Sequence, residues 1–203
     1  IQGTCTPGAV GQGKAIYNKA SVTTKGDGQP KEAAACGTLP ANPDRISDAA
    51  AAQGLTATLH PHVGTMVESG EETDRVLAGS RIGLCLDTGH ISYCGGDNLA
   101  IIERFPDRIG YLHLKQVDPA VRAQVHQQDL PFGTAVADGV MIEPPHGIPS
   151  YPPILAAIDA LEVDVFAIVE QDLYPCAPDV PLPIATRTRN YLSSCGIPSV
   201  RFR

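Results

Sequence analysis

From about Leu55 onward the chain alternates short apolar runs with amphipathic stretches. Residues 55–59 (Leu-Thr-Ala-Thr-Leu) read as a strand. Residues 70–78 read as a helix, with Glu71 and Glu72 in the first turn, where the helix dipole favours acids. Residues 82–86 (Ile-Gly-Leu-Cys-Leu) form a continuous apolar run, the mark of a strand buried on both faces. Residues 97–105 carry Leu99, Ile102 and Phe105 at helical spacing behind Asp97, a good N-cap. Residues 109–114 read as a strand, 154–161 as a helix, 165–169 as another buried strand and 186–192 as a closing helix.

This strand-helix alternation predicts an α/β fold with parallel strands, right-handed crossovers and outer helices. Residues 119–153 interrupt it with Pro131, Gly133, Gly139, Pro144, Pro145 and Gly147, an excursion over one face with room for short helices. The first part of the chain is less regular. Residues 15–24 have room for one strand, 25–43 read mostly as loop, and 44–53 read as a helix ended by Gly54.

The length of 203 residues suits one domain, 1–203. The formal charge of -7 opposes binding to nucleic acid, and no basic stripe offsets it. No apolar stretch approaches the roughly 20 residues of a membrane span. The start shows no charged-then-apolar leader, so a cytoplasmic location is expected. The six cysteines include no C-x-x-C pair and read as incidental thiols. Residues 8–15 have the skeleton of a phosphate-binding loop, but Ala15 stands where the hydroxyl residue belongs and no apolar strand precedes it.

Chemistry-bearing residues gather at the ends of the predicted strands. His60 and His62 follow the first, Asp87 and His90 the second, His113 and Lys115 the third, and Glu170 the fourth. Parallel strands bring their C-terminal ends to one crevice, where sites form. Singly, each residue has an ordinary structural explanation: a hydrogen-bonded histidine, a turn-capping aspartate, an ion-paired glutamate. Together, charged groups ending buried strands need partners, and a shared metal supplies one. Mixed imidazole and carboxylate donors suit Mn²⁺, Co²⁺, Fe²⁺, Zn²⁺ or Mg²⁺.

Four segments then carry a family resemblance. These are Leu-His-Pro-His-Val-Gly-Thr-Met-Val-Glu (59–68), Ile-Gly-Leu-Cys-Leu-Asp-Thr-Gly-His (82–90), Asp-Arg-Ile-Gly-Tyr-Leu-His-Leu-Lys (107–115) and residues 165–172. They resemble strands five to eight of the xylose-isomerase-like TIM barrels, the sugar isomerase, epimerase and inosose-dehydratase-like group. The resemblance runs over about 38–195 and leaves 1–37 poorly matched. It implies a partial or diverged (β/α)₈ barrel lacking its early strands, since a full barrel takes about 250 residues.

The resemblance also implies one divalent metal ion. Its usual ligands, Glu, Asp, His and Glu, carry over to Asp87, His113 and Glu170, with His60 in place of the first Glu and Glu68 as an alternative. His62, His90 and Lys115 would bind substrate, and Glu170, His90 and Lys115 would be catalytic. Gln116 stands where relatives carry Asp, which is expected to loosen Lys115. The Pro-Pro-His-Gly stretch at 144–147 replaces an expected Gly-rich loop.

The implied activity is isomerisation, epimerisation or dehydration of a keto-sugar or cyclitol through an enediolate. With His60 replacing a carboxylate, one base and one acid suit dehydration; Glu170 would be the base, and His90 or a histidine of the His-Pro-His segment the acid. Two other readings stand beside it. One is a non-catalytic barrel remnant whose open sheet edges lead it to dimerise or bind a partner, which leaves homo-oligomerisation open. The other is a metal-dependent endonuclease of the same fold, opposed by the acidic charge.

Overall fold

The computed structural model describes residues 15–23, 30–38 and 43–197. In chain order the elements are β1 (Ala15–Thr23), β2 (Pro30–Thr38), α1 (Asp44–Ala51), β3 (Thr58–Leu59), α2 (Gly70–Gly79), β4 (Gly83–Asp87), α3 (Thr88–Tyr93) and α4 (Asn98–Arg104). There follow β5 (Ile109–Leu114), β6 (Gln116–Val117), α5 (Pro119–Gln127), α6 (Phe132–Ala137), β7 (Met141–Ile142), α7 (Tyr151–Asp159), β8 (Phe166–Val169) and α8 (Pro181–Ser194). A short 3₁₀ turn, Pro106–Arg108, leads into β5.

The central sheet is parallel, in the order β3-β4-β5-β8, with the elements from β6 to α7 inserted between its last two strands. Its register sets Cys85 beside Tyr111 and Tyr111 beside Phe166, then Asp87 beside His113 and His113 beside Ile168. Side chains alternate along a strand, so these residues share the concave face. The opposite face carries Leu84, Leu86 and Leu112, which pack on Ile101 and Ile102 of α4 and Ile154 and Ile158 of α7. Hence the continuous apolar reading of β4: one face meets helices and the other lines the site.

Local signals set the helix starts. Ser69 and Glu72 form a capping box at α2. The Asp97 carboxylate accepts from Leu99 N and Ala100 N at α4, and Asp118 caps α5 in the same way. Arg108 donates to the carbonyls of Leu77 and Ile82, joining the end of α2 to the start of β4. That is the structural use of the Asp-Arg-Ile segment.

Several expectations are corrected. Residues 15–23 form no barrel strand: they pair antiparallel with β2, a strand lying inside the stretch read as loop. The strand expected over 55–59 shortens to Thr58–Leu59. An unforeseen helix, α3, starts directly after Asp87. The excursion holds α5, α6 and a small antiparallel pair, β6 with β7. The strand at 166–169 is not buried on both faces; all four residues are exposed, Phe166 by 75%. Among the described residues nothing pairs with its far edge, and β3 is the other open edge, so the barrel is not closed. Residues 8–14 of the phosphate-loop skeleton lie outside the described residues.

Candidate active site

The C-terminal ends of β3, β4, β5 and β8 meet at Asp87. Its side chain is fully buried. Oδ1 accepts from Gly89 N and His90 N, both at 2.9 Å, so it caps α3. Oδ2 faces the mouth, with His60 Nε2 at 3.3 Å, His113 Nδ1 at 3.5 Å, Lys115 Nζ at 3.3 Å and His90 Nε2 at 3.8 Å. Burial pushes this carboxyl up, but the His113 and His60 imidazoles at its open oxygen and the charge of Lys115 outweigh burial and hold it well below the usual carboxylate range.

His113 and Glu170 meet at ion-pair distance but outside hydrogen-bond geometry. His113 Nδ1 lies 2.5 Å from Glu170 Oε2, yet both atoms are buried and neither has a hydrogen-bond partner. An imidazole nitrogen and a carboxylate oxygen meeting from adjacent strands suit a shared cation, a proton or a divalent ion. Asp87, His113 and Glu170 offer donor atoms all within 4.8 Å of one another, as do His60, Asp87 and His90, and His60, Cys85 and His113. Imidazole with carboxylate is the donor chemistry of Zn²⁺, Mn²⁺, Co²⁺ or Fe²⁺, so the residues present fit a divalent ion. Burial, then the charges of Asp87 and Glu170, pushes the Cys85 thiol up to about 12.

Lys115 is placed by the Asp-Thr-Gly-His segment. Thr88 Oγ1 donates to Lys115 O at 2.7 Å and accepts from Lys115 N at 3.0 Å. Gly89 leaves the space that the lysine stem fills. Lys115 Nζ then reaches His90 Nε2 at 2.9 Å, Asp172 Oδ2 at 3.1 Å and Glu170 Oε1 at 3.2 Å. Burial works against the ammonium, but Asp87, Asp172 and Glu170 together raise its pKa. Gln116 does not loosen it. The Gln116 amide donates to Pro149 O and accepts from Gly147 N, holding the Pro-Pro-His-Gly loop against the β5 end while Lys115 stays 1% exposed.

The remaining candidates divide. The His62 ring lies 3.7 Å from that of His90, centroid to centroid. Glu68 accepts from Gly64 N at 2.6 Å within its own turn and joins none of the close donor groups among the described residues. Three neighbours escaped the sequence reading. Phe132 of α6 stands 6.0 Å from His62 and 5.7 Å from His90; the signal was an aromatic in an excursion of an aromatic-poor chain. Cys85 lay one alternation before Asp87, and Asp172 one alternation after Glu170.

Residues 13–184 match the family description Xylose isomerase-like TIM barrel. The chain belongs to this family. Among curated proteins it is 31% identical over 158 residues to the inosose dehydratase of Geobacillus thermodenitrificans, covering 76% of this chain and 53% of that protein. It is 35% identical over 124 residues to the rhizopine catabolism protein MocC of Rhizobium meliloti, covering 60% of this chain and 38% of that protein. The chain thus spans about half the length of the inosose dehydratase it matches. Among solved structures, the IolI protein with a bound zinc atom aligns with a TM-score of 0.54 at 19% identity, covering 76% of this chain and 55% of that one. The probable 3-DHS dehydratase AsbF of Bacillus anthracis aligns with a TM-score of 0.53 at 19% identity, covering 73% of this chain and 54% of that one. At such identity these two support the barrel fold alone.

Proposed function

We propose that this chain carries the catalytic residues of a divalent-metal-dependent dehydratase acting on an inosose or a related keto-sugar through an enediolate. The observation that carries the reading is the convergence on Asp87 of His60, His113 and Glu170, with His113 Nδ1 and Glu170 Oε2 buried 2.5 Å apart outside hydrogen-bond geometry. The inosose dehydratase relatives supply the substrate class, and the zinc named with the IolI protein agrees with the donor set.

His60, Asp87, His113 and Glu170 would hold the ion. A bound divalent ion supplies Lewis acidity, lowering the cost of negative charge on a carbonyl oxygen and its neighbour. Glu170, beside the substrate mouth, removes the proton from the carbon next to the carbonyl. The Lys115 ammonium stabilises the oxygen that gains charge. His62 and His90, under Phe132, bind ring hydroxyls. Loss of a β-hydroxyl then completes dehydration.

Epimerisation needs a base on each face of the carbon. His60 stands where the family resemblance places the second carboxylate, so elimination suits this residue set better. Burial pushes His90 down to about 3 and keeps it neutral near neutral pH. The ammonium of Lys115 is therefore the better-placed proton source for a departing hydroxyl.

A non-catalytic reading has its own observation: the open concave face, with Phe166 75% and Ile168 43% exposed. Metal content decides between them. The purified chain is expected to hold about one divalent ion per chain, to lose it in Asp87→Ala and His113→Ala, and to dehydrate an inosose. A chain that takes up neither Mn²⁺ nor Zn²⁺ overturns the catalytic reading.

A further inference from the structure

A cavity of about 400 Å³ opens beside α3. Arg122 of α5 lines it, with Asp97 and Asn98 at the start of α4, Ser150 just before α7, and the apolar Ile148 and Pro153. His60, Asp87, His113, Lys115 and Glu170 take no part in it. Its size is that of a pocket for a small molecule.

Arg122 stands in this cavity without a counter-charge. Arg75, Arg81, Arg104 and Arg187 each meet a carboxylate. Arg122 is half-buried, yet its one hydrogen bond among the described residues runs from Nε to Tyr93 O at 2.7 Å. His126 Nε2 lies 3.0 Å from the same oxygen. The Nε bond anchors the plane of the guanidinium. Gly95, with a φ of 82°, leaves room beside it: a Cβ there would lie 3.2 Å from Arg122 Nη2. Neither Nη has a hydrogen-bond partner among the described residues, and neither is shut off from solvent. The guanidinium thus holds a fixed edge of unused donors at the cavity wall.

Such a group is a receptor for an oxyanion. A planar fork of N–H donors matches two oxygens of a carboxylate or phosphate, and partial burial strengthens the attraction. The Ser150 hydroxyl makes no capping hydrogen bond to α7 and is a further donor at the same wall. Ile148, 37% exposed, and Pro153 offer apolar surface to the body of a ligand. Asp97 is the opposing charge. It lies beyond ion-pair distance of Arg122, and its Oδ1 accepts from Leu99 N at 2.9 Å and Ala100 N at 3.2 Å. Its charge weakens the binding of an anion nearby, so its removal should tighten that binding.

We infer that this cavity is a second ligand site, which takes a small organic carboxylate or phosphate on the Arg122 guanidinium. The inference is independent of the dehydratase reading, because it uses none of the residues proposed to hold the ion.

The test is calorimetric titration of the metal-free full chain with phenyl phosphate, benzoate and inorganic phosphate. Saturable binding of phenyl phosphate or benzoate is expected, tighter than that of inorganic phosphate because of the apolar wall. The tighter of the two organic probes names the anionic group, and it is expected to shift the amide resonances of Gly95 and Gly96. Arg122→Met is expected to weaken that probe at least about tenfold, as loss of a charge-assisted hydrogen bond does. Arg122→Lys keeps the charge without the fork and is expected to fall between. Asp97→Asn still caps α4 and is expected to bind more tightly than the parent. Absence of saturable binding by both organic probes overturns the site. So does an Arg122→Met chain, shown folded by circular dichroism, that binds like the parent. Unchanged affinity in both Arg122→Lys and Asp97→Asn overturns it even where Arg122→Met does not fold. Binding lost in Lys115→Met and kept in Arg122→Met would place the anion at the mouth instead and overturn it too.

Discussion

Gly89 and Lys115 share one space: a Cβ on Gly89 would lie 2.6 Å from Lys115 Cγ and 2.7 Å from its Cβ. Glycine at this point is what allows a buried ammonium to reach the mouth from the end of β5. Gly89→Ala is expected to cost about 1–3 kcal/mol through overpacking and to displace Lys115 from His90. Thermal unfolding measures the first effect and inosose turnover the second. Unchanged stability and turnover would contradict the packing argument.

The proposed ligand set separates His60 from Glu68. His60→Ala is expected to weaken Zn²⁺ binding by more than the roughly 10–100-fold that loss of an outer hydrogen-bond partner costs. Glu68→Ala is expected to leave affinity nearly unchanged, because its carboxylate is tied to Gly64 N. Calorimetric titration of both variants decides; the reverse ranking would move the ligand to Glu68.

His90 should leave a mark on acid stability. Its folded value near 3 lies below the about 6.5 of an unfolded histidine. Between those values the unfolded chain binds a proton that the folded chain refuses, so stability rises with pH. The contribution is whole above about pH 6.5 and is lost as pH falls toward 3. Asp87 is depressed as well, and its contribution is lost in a lower window, below about pH 4. His113 is raised and works the other way: its contribution is present below about 6.5 and is lost as pH rises through its folded value. His90→Phe is expected to flatten the fall in urea midpoint between about pH 6.5 and 4. An unaltered slope in the variant would contradict the assignment.

Two apolar residues of the same sheet should respond unequally. Leu86 is fully buried among the α4 and α7 side chains, and Leu86→Ala is expected to cost about 2–5 kcal/mol. Phe166 is 75% exposed, and Phe166→Ala is expected to cost under about 1 kcal/mol. Denaturant unfolding of the two variants compares them. A large loss at Phe166 would mean that its face is covered in solution.

Most of the parallel sheet was legible because each strand carries a short apolar run, and the expected cap at Asp97 starts α4 in the structure. Ser69, Asp97 and Asp118 cap their helices in the structure. The antiparallel partner of β1 was not legible. Residues 30–38 hold Pro, Lys, Glu, three Ala, Cys, Gly and Thr, a composition with weak strand preference. The strand is present through its pairing with β1, a contact that no local pattern announces. The exposure of β8 was hidden for the opposite reason. Its apolar sequence records a face made to be covered, and covering depends on what lies beside it.

For the site, the chain's own order determined which residues could meet: a strand-end His, Asp, His and Glu in successive parallel strands must share one end of the sheet. It also determined their chemistry, two kinds of hard-to-bury donor at the ends of apolar runs. The tertiary structure alone decided how they are used. Strand register brought His113 Nδ1 to Glu170 Oε2, and the start of α3 turned one oxygen of Asp87 inward to its own cap and the other toward the mouth. The missing side chain of Gly89 admitted Lys115, whose Nζ lies 2.9 Å from His90 Nε2. These are distances between atoms that lie far apart in sequence. They follow from packing, which a linear pattern of polar and apolar residues constrains in direction but not in length.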